Sequence, residues 1–172
     1  MRRGHIFLVG FMGSGKSTVA SVVADRLGIP CVDIDQRIEA QQGASIAEVF
    51  TVSGEAAFRA LETEALLALE GVEPSVVACG GGVVLSPENR AALKRMGIVV
   101  LLEVSAAEAI ARIGDVTTRP LLAGGSGTLA ATTLLQAREG LYRSVADVSI
   151  QTGGHTPDEV ATALLAKVED VS

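Results

Sequence analysis

The sequence predicts an α/β domain, a parallel β-sheet covered by helices, built around a phosphate-binding loop. Three observations predict it. Short apolar runs alternate along the chain with longer amphipathic stretches, the pattern of repeated βα units. One run, Ile98-Val99-Val100-Leu101-Leu102, is apolar at every position, as suits a strand covered on both faces. A glycine-rich segment, Gly10-Phe11-Met12-Gly13-Ser14-Gly15-Lys16-Ser17, stands directly between the first apolar run and the first amphipathic stretch. It fits G-x-x-x-x-G-K-[ST] in the strand–loop–helix context that the motif requires.

In chain order, the predicted strands are His5–Val9, Pro30–Asp33, Ser75–Cys79, Ile98–Glu103 and Asp147–Gln151. Each is short, mostly β-branched or leucine, and bounded by turn residues. A helix is expected from near Lys16. Glu55–Glu70 carries Phe58, Leu61, Leu66 and Leu69 close to helical spacing. Capping boxes announce further helices at Ser45-Ile46-Ala47-Glu48, Ser105-Ala106-Ala107-Glu108 and Thr156-Pro157-Asp158-Glu159, and Ser86-Pro87 opens another. Between these, 114–127 reads as a long mobile loop. No repeat, linker or low-complexity tail interrupts the chain, so its 172 residues are expected to form one domain.

Composition narrows the function classes. Lys plus Arg total 14 against 20 for Asp plus Glu, a net charge of −6, which argues against a nucleic-acid surface. With no Trp and one Tyr, an aromatic stacking platform is also excluded. Hydrophobic residues at 48% exclude a disordered chain. Met1-Arg2-Arg3 before Ile6–Val9 mimics an export signal, but Lys16 interrupts it. The uncharged stretch between Arg119 and Arg138 is broken by Gly124, Gly125, Ser126 and Gly127. No membrane association and a cytoplasmic location are expected. Cys31 and Cys79 are expected to be two reduced, buried thiols.

The glycines of the first loop let backbone N–H groups close around phosphate oxygens, and the helix beginning near Lys16 adds its positive end. Lys16 is expected to reach the β- and γ-phosphates and the Ser17 hydroxyl to hold Mg²⁺. The loop backbone, and not the Lys16 side chain, is expected to shape the turn. Asp33 and Asp35 end the second strand, where strand C-termini face the ligand crevice. Either both carboxylates face the phosphates, or Asp35 caps the next helix and the other carboxylate is solvated. The run Gly80-Gly81-Gly82 after the third strand reads as close backbone approach to a ligand, or as a flexible turn. Arg59 and Glu62 lie at i, i+3 on one helix face, as a surface ion pair or as an oriented fork for a carboxylate. Arg119 in the long loop reads as a lid charge, or as a solvated side chain. His5 and His155 are not clustered and are expected not to be ligands. No Asn-Lys-x-Asp occurs, and the Asp25–Gly28 pair ends the first helix, so a GTPase switch is excluded.

Taken together, the ordered series GFMGSGKST, DID, FRALE, GGG, RPLL and Arg138-Glu139-Gly140-Leu141-Tyr142 resembles the shikimate kinase family over nearly the whole chain. The resemblance implies a nucleoside monophosphate kinase-like fold with a five-stranded parallel sheet in the order 2-3-1-4-5 and a mobile lid at about 114–127. It implies phosphorylation of the 3-hydroxyl of shikimate from MgATP, on the route to chorismate and the aromatic amino acids. By position, Asp35, Arg59, Arg138 and the glycines Gly80, Gly81 and Gly82 would contact shikimate, with Glu62 supporting Arg59. Asp33 would support Mg²⁺ beside Ser17, and Lys16 and Arg119 would neutralise developing charge. Gly13, Ser14, Gly15 and Thr18 would complete the ATP cradle, and Arg112 and the segment around Pro157 would sandwich adenine. Gly140 departs from the family's usual proline, and Gly153-Gly154-His155 lacks the basic residues that some members have there. A monomer with small-molecule partners alone is expected. Two other readings remain: a related kinase for another acceptor, such as gluconate or a nucleoside monophosphate, and a non-catalytic nucleotide-binding module.

Overall fold

The computed structural model describes residues 4–115, 120–122 and 127–171. Five strands form one sheet: β1 (His5–Val9), β2 (Cys31–Asp33), β3 (Val76–Ala78), β4 (Gly97–Glu103) and β5 (Val148–Gln151). They run parallel in the order β2-β3-β1-β4-β5, as the resemblance implies. β1 is central, with Phe7 beside Val77 on one side and Val99 on the other. That position puts the loop leaving β1 at the middle of the sheet's C-terminal edge.

The strands' period of two divides the core. Phe7, Val9, Val77, Val99 and Leu101 face one apolar cluster. There they meet residues of α2 (Ile34–Gln42), α3 (Ile46–Leu67), α4 (Pro87–Met96) and α6 (Gly127–Val145). Ile6, Leu8, Val76, Val100 and Leu102 face the opposite cluster with α1 (Lys16–Leu27) and α7 (Pro157–Val171). A third cluster joins Phe11 of the first loop to Ala109 of α5 (Ala106–Ile113), Ala131 of α6 and Leu122. Leu122, fully buried, anchors the described part of the 114–127 segment to the loop after β1.

The helix starts follow the capping signals, with one difference. At Ser45 and Thr156 both halves of the box form, the acid accepting the cap residue's N–H at 2.7 and 2.8 Å. At Ser105 only the hydroxyl half forms, because Glu108 accepts instead from the Ser105 hydroxyl at 3.0 Å. The helices expected from Ser45 and from Glu55 are joined across a kink at Gly54, where φ is 82° and ψ 171°. Only a residue without Cβ turns there cheaply. That helix ends at Leu67, short of the expected Glu70.

Cys31 corrects an expectation: it is exposed, because β2 is the edge of the sheet, while Cys79 is buried as expected. His5 is buried, its Nε2–H donating to the Leu69 carbonyl at 3.0 Å and its Nδ1 accepting from the Ser75 N–H at 3.2 Å. Both ring nitrogens are thus engaged in joining β1 to the turn before β3. Among the described residues, no helix is long and apolar enough to cross a membrane.

Candidate active site

The first loop adopts the shape its glycines permit. Gly13 has φ 76°, and a Cβ there would stand 2.6 Å from the Ala109 carbonyl oxygen. Gly15, at φ 91°, is the N-cap of α1 and brings no side chain to cap it. The first N–H groups of α1 are left open to an anion, at the positive end of the helix. Lys16 folds back over the loop, donating from Nζ to the carbonyls of Gly10 at 2.8 Å and Phe11 at 2.9 Å. The Lys16 side chain thus packs back onto the turn that the backbone is expected to shape.

Ser17 Oγ donates to Asp33 Oδ2 at 2.5 Å, joining the start of α1 to the end of β2. The other Asp33 oxygen accepts from the Gln36 N–H at 3.1 Å and caps α2. This settles the sequence alternative against Asp35, which lies in the first turn of α2, past the cap. A serine hydroxyl whose proton is given to a carboxylate keeps its lone pairs for a cation. Hydroxyl and carboxylate oxygens are hard ligands of the kind Mg²⁺ requires.

Beyond the loop, a cleft opens between Gly13, Gly15, Thr18, Arg112, His155 and Pro157. Arg112 is tied to Thr152: Nη2 donates to the Thr152 carbonyl at 2.8 Å, and Nη1 to Thr152 Oγ1 at 3.1 Å. A planar guanidinium fixed in a cleft that Pro157 also lines suits a flat heterocycle. Thr152, the buried residue that fixes Arg112, carries no sequence motif and escapes sequence reading.

The second cleft lies between α3, the glycine run and α6. Arg59 Nη1 donates to Glu62 Oε1 at 2.9 Å and Nη2 to Glu55 Oε1 at 3.3 Å. Glu62 is fully buried, so the surface-pair reading of Arg59 and Glu62 is wrong. Burial pushes the Glu62 carboxyl above its ordinary value; Arg59 pulls it back and the nearby Asp35 charge adds to the rise. Arg59 Nε and Glu62 Oε2 are buried with no hydrogen-bond partner among the described residues.

The three glycines each make room for a different neighbour. A Cβ on Gly80 would stand 2.5 Å from Glu62 Oε2 and 2.9 Å from Asp35 Oδ1. One on Gly82 would stand 2.2 Å from Arg59 Nη1. At Gly81 the space is ordinary, with Met12 N at 3.5 Å and Arg138 Nη1 at 3.7 Å. Arg138, only 3% exposed, reaches this cleft from α6.

Asp35, Arg59, Glu62, Gly80–Gly82 and Arg138 thus line one cleft, while Lys16, Ser17 and Asp33 meet at the start of α1. Arg119 lies outside the described residues, although its neighbours Pro120 and Leu121 line the second cleft. The sequence reading missed the apolar wall of that cleft, made by Ile46, Phe50 and Phe58. Helical spacing marks Phe58 only as part of a helix, with no signal for a cleft wall. It also missed Tyr142, whose hydroxyl donates to the Gly81 carbonyl. Its signal was available: it is the single tyrosine of the chain.

The family model described as shikimate kinase matches residues 12–169. The shikimate kinase of Rhodococcus jostii is 42% identical over 163 residues, covering 95% of this chain and 96% of that protein. A solved shikimate kinase from Acinetobacter baumannii, in complex with shikimate, superposes with a TM-score of 0.95 at 35% identity, over 99% of this chain and 96% of that one. A gluconokinase from Sinorhizobium meliloti gives a TM-score of 0.64 at 19% identity, over 98% of this chain and 93% of that one. At that identity the likeness is one of fold alone.

Proposed function

The chain belongs to the shikimate kinase family, and from that membership we propose how its residues divide the work of the reaction. The enzyme transfers the γ-phosphoryl group of ATP to the 3-hydroxyl of shikimate, a step toward chorismate and the aromatic amino acids. The bond from the acceptor oxygen to phosphorus forms as the bond to the β,γ-bridging oxygen breaks. Such transfer passes through a loose transition state, so catalysis rests on positioning and on charge stabilisation.

In our reading, the amides of Gly13, Ser14, Gly15 and Thr18 receive the ATP phosphates, and Lys16 exchanges its loop carbonyls for phosphate oxygens. Ser17 and Asp33 are the pair that fits Mg²⁺, which when bound neutralises phosphate charge and keeps several waters. Arg112 and Pro157 flank adenine. Asp35 orients the acceptor hydroxyl and takes its proton. Arg59, braced by Glu62, and Arg138 grip the carboxylate, and Gly80–Gly82 bring backbone close to the ring. Arg119 delivers charge from a lid at about 114–127. The protein acts as a single kinase domain over 1–172, a cytoplasmic monomer with no nucleic-acid or membrane partner.

The observation that carries the acceptor assignment is the mixed lining of its cleft. Two arginines and a buried acid share it with an apolar wall of Ile46, Phe50 and Phe58, and the Arg59 guanidinium stands 5.1 Å from the centre of the Phe58 ring. A compact ring with a carboxylate at one edge and an apolar face satisfies both. An extended polyol such as gluconate would leave hydroxyls unpaired against that wall. The test is calorimetric titration of Arg59→Lys. A point charge cannot reproduce the fork, so shikimate affinity falls roughly 10- to 100-fold while ATP affinity is unchanged. Equal losses for both ligands would make Arg59 a structural partner of Glu62 only.

A further inference from the structure

Two buried side chains and a half-buried glycine meet where α6 passes the glycine run. Tyr142 is 2% exposed, and its hydroxyl donates to the Gly81 carbonyl. One turn earlier on the same helix, Arg138 is 3% exposed. Residues at i and i+4 share a helix face, and the Arg138 guanidinium is close enough for its charge to oppose the rise of the Tyr142 pKa. Arg138 Nη1 also lies 3.7 Å from where a Cβ of Gly81 would stand. The phenol therefore ties α6 to a carbonyl of the segment after β3, with the Arg138 guanidinium of the same helix face beside Gly81.

We propose that Tyr142 is a positioning residue for the acceptor, its hydroxyl holding Arg138 and Gly81 in one register. The inference rests on the reading that Arg138 and Gly81 contact shikimate. Neither partner fixes itself. Gly81 has no side chain to pack, and Arg138 has a long flexible stem whose ordering carries an entropic cost. A rigid phenol with two χ angles, packed in the core with Val83, Leu101 and Val145, supplies the fixed point between them. Burial pushes the Tyr142 pKa up to about 12, with Arg138 opposing, so the hydroxyl stays protonated at neutral pH and Gly81 keeps its donor. Tyr142 touches no reacting atom. It acts through Arg138 and Gly81, on acceptor binding and not on ATP.

Tyr142→Phe keeps the ring and removes only the hydroxyl. The KM for shikimate rises about tenfold, the value of one lost buried hydrogen bond, while the KM for ATP and kcat stay within about twofold. Arg138→Lys also raises the shikimate KM, and the double variant falls short of the product of the two effects, because the residues act as a unit. If Arg138→Lys leaves the shikimate KM unmoved, the site reading itself fails and the inference with it. If Arg138→Lys raises it but Tyr142→Phe does not, or the effects multiply, the site stands and the positioning role is overturned. A loss spread equally over shikimate, ATP and kcat would make the hydroxyl merely structural. A second measurement needs no variant. Tyr142 is the only tyrosine, so 3-fluorotyrosine incorporation places one ¹⁹F label in the protein. Shikimate shifts that resonance and ADP alone leaves it in place; a resonance indifferent to shikimate overturns the proposal.

Discussion

Arg59 Nη1 meets Glu62 Oε1 at 2.9 Å, one helical turn away, and the carboxylate it meets is wholly shielded from solvent. An exposed pair at this spacing contributes only about 0.3–0.5 kcal/mol. Here the acid fixes the direction of the fork.

Glu62→Gln keeps the shape of the side chain but removes the charge that orients Arg59. The KM for shikimate is expected to rise roughly tenfold with the KM for ATP unchanged, the loss of one charge-assisted hydrogen bond. Stability gives an independent check. Burial raises the Glu62 pKa, so this group's contribution to stability is full below the ordinary carboxylate range and is lost as pH rises through the raised folded value. Glutamine has no such loss. Melting temperatures of both proteins between pH 4 and pH 8 should move steadily in favour of the variant, and a constant difference would contradict the assignment.

Gly82→Ala tests the packing of the glycine run. Its Cβ would stand 2.2 Å from Arg59 Nη1, so the guanidinium must leave its place. Shikimate affinity should fall by at least about tenfold with ATP affinity retained, as expected when a bidentate fork is displaced. Gly81→Ala meets nothing closer than 3.5 Å and should bind shikimate better than Gly82→Ala does. The reverse order in titration calorimetry would refute this account of the segment.

Asp33 and Asp35 stand two residues apart and are assigned different work. Asparagine is as good an N-cap as aspartate, so Asp33→Asn should preserve α2 while raising the Mg²⁺ concentration needed for half activity. Asp35→Asn should lose shikimate binding and turnover at unchanged Mg²⁺ dependence. Activity across a Mg²⁺ series separates them, and swapped phenotypes would reverse the assignment.

Lys16→Met should lower kcat by roughly 10²- to 10³-fold, the loss expected for removing one preorganised charge. It should also lower the melting temperature by a few degrees, because the two carbonyl contacts of Nζ go with it. Wild-type turnover would remove Lys16 from the transfer step.

The sheet was legible because each strand is a short apolar run that starts at or just after a turn-forming residue, Gly4, Pro30, Pro74, Gly97 or Asp147, and the helices because their caps are local chemistry. What escaped was tertiary. The spacing of Arg59 and Glu62 gave their contact, but the burial of Glu62 depends on β3 and α6, far away in sequence. Which of Asp33 and Asp35 caps α2 depends on where β2 stops, a matter of two residues. Cys31 is exposed because strand order puts β2 at the edge, and no local signal carries that order. Gly54 joins two helices that the Ser45 capping box and the apolar spacing from Glu55 mark separately, because such signals report starts and faces and not continuity. Tyr142 stands in the sequence only as the end of the Arg138–Tyr142 run, and its bond to Gly81 depends on how α6 packs against the glycine run.

The most direct test of the acceptor assignment is ADP release with MgATP across shikimate, gluconate and a nucleoside monophosphate, with the product followed by ³¹P NMR. The cleft built by Arg59, Arg138, Asp35 and the Phe50–Phe58 wall predicts one ADP and one new phosphate monoester per shikimate consumed. It predicts no release above background with the other two. Release supported equally by gluconate, or ADP formed without a phosphorylated shikimate, would contradict it.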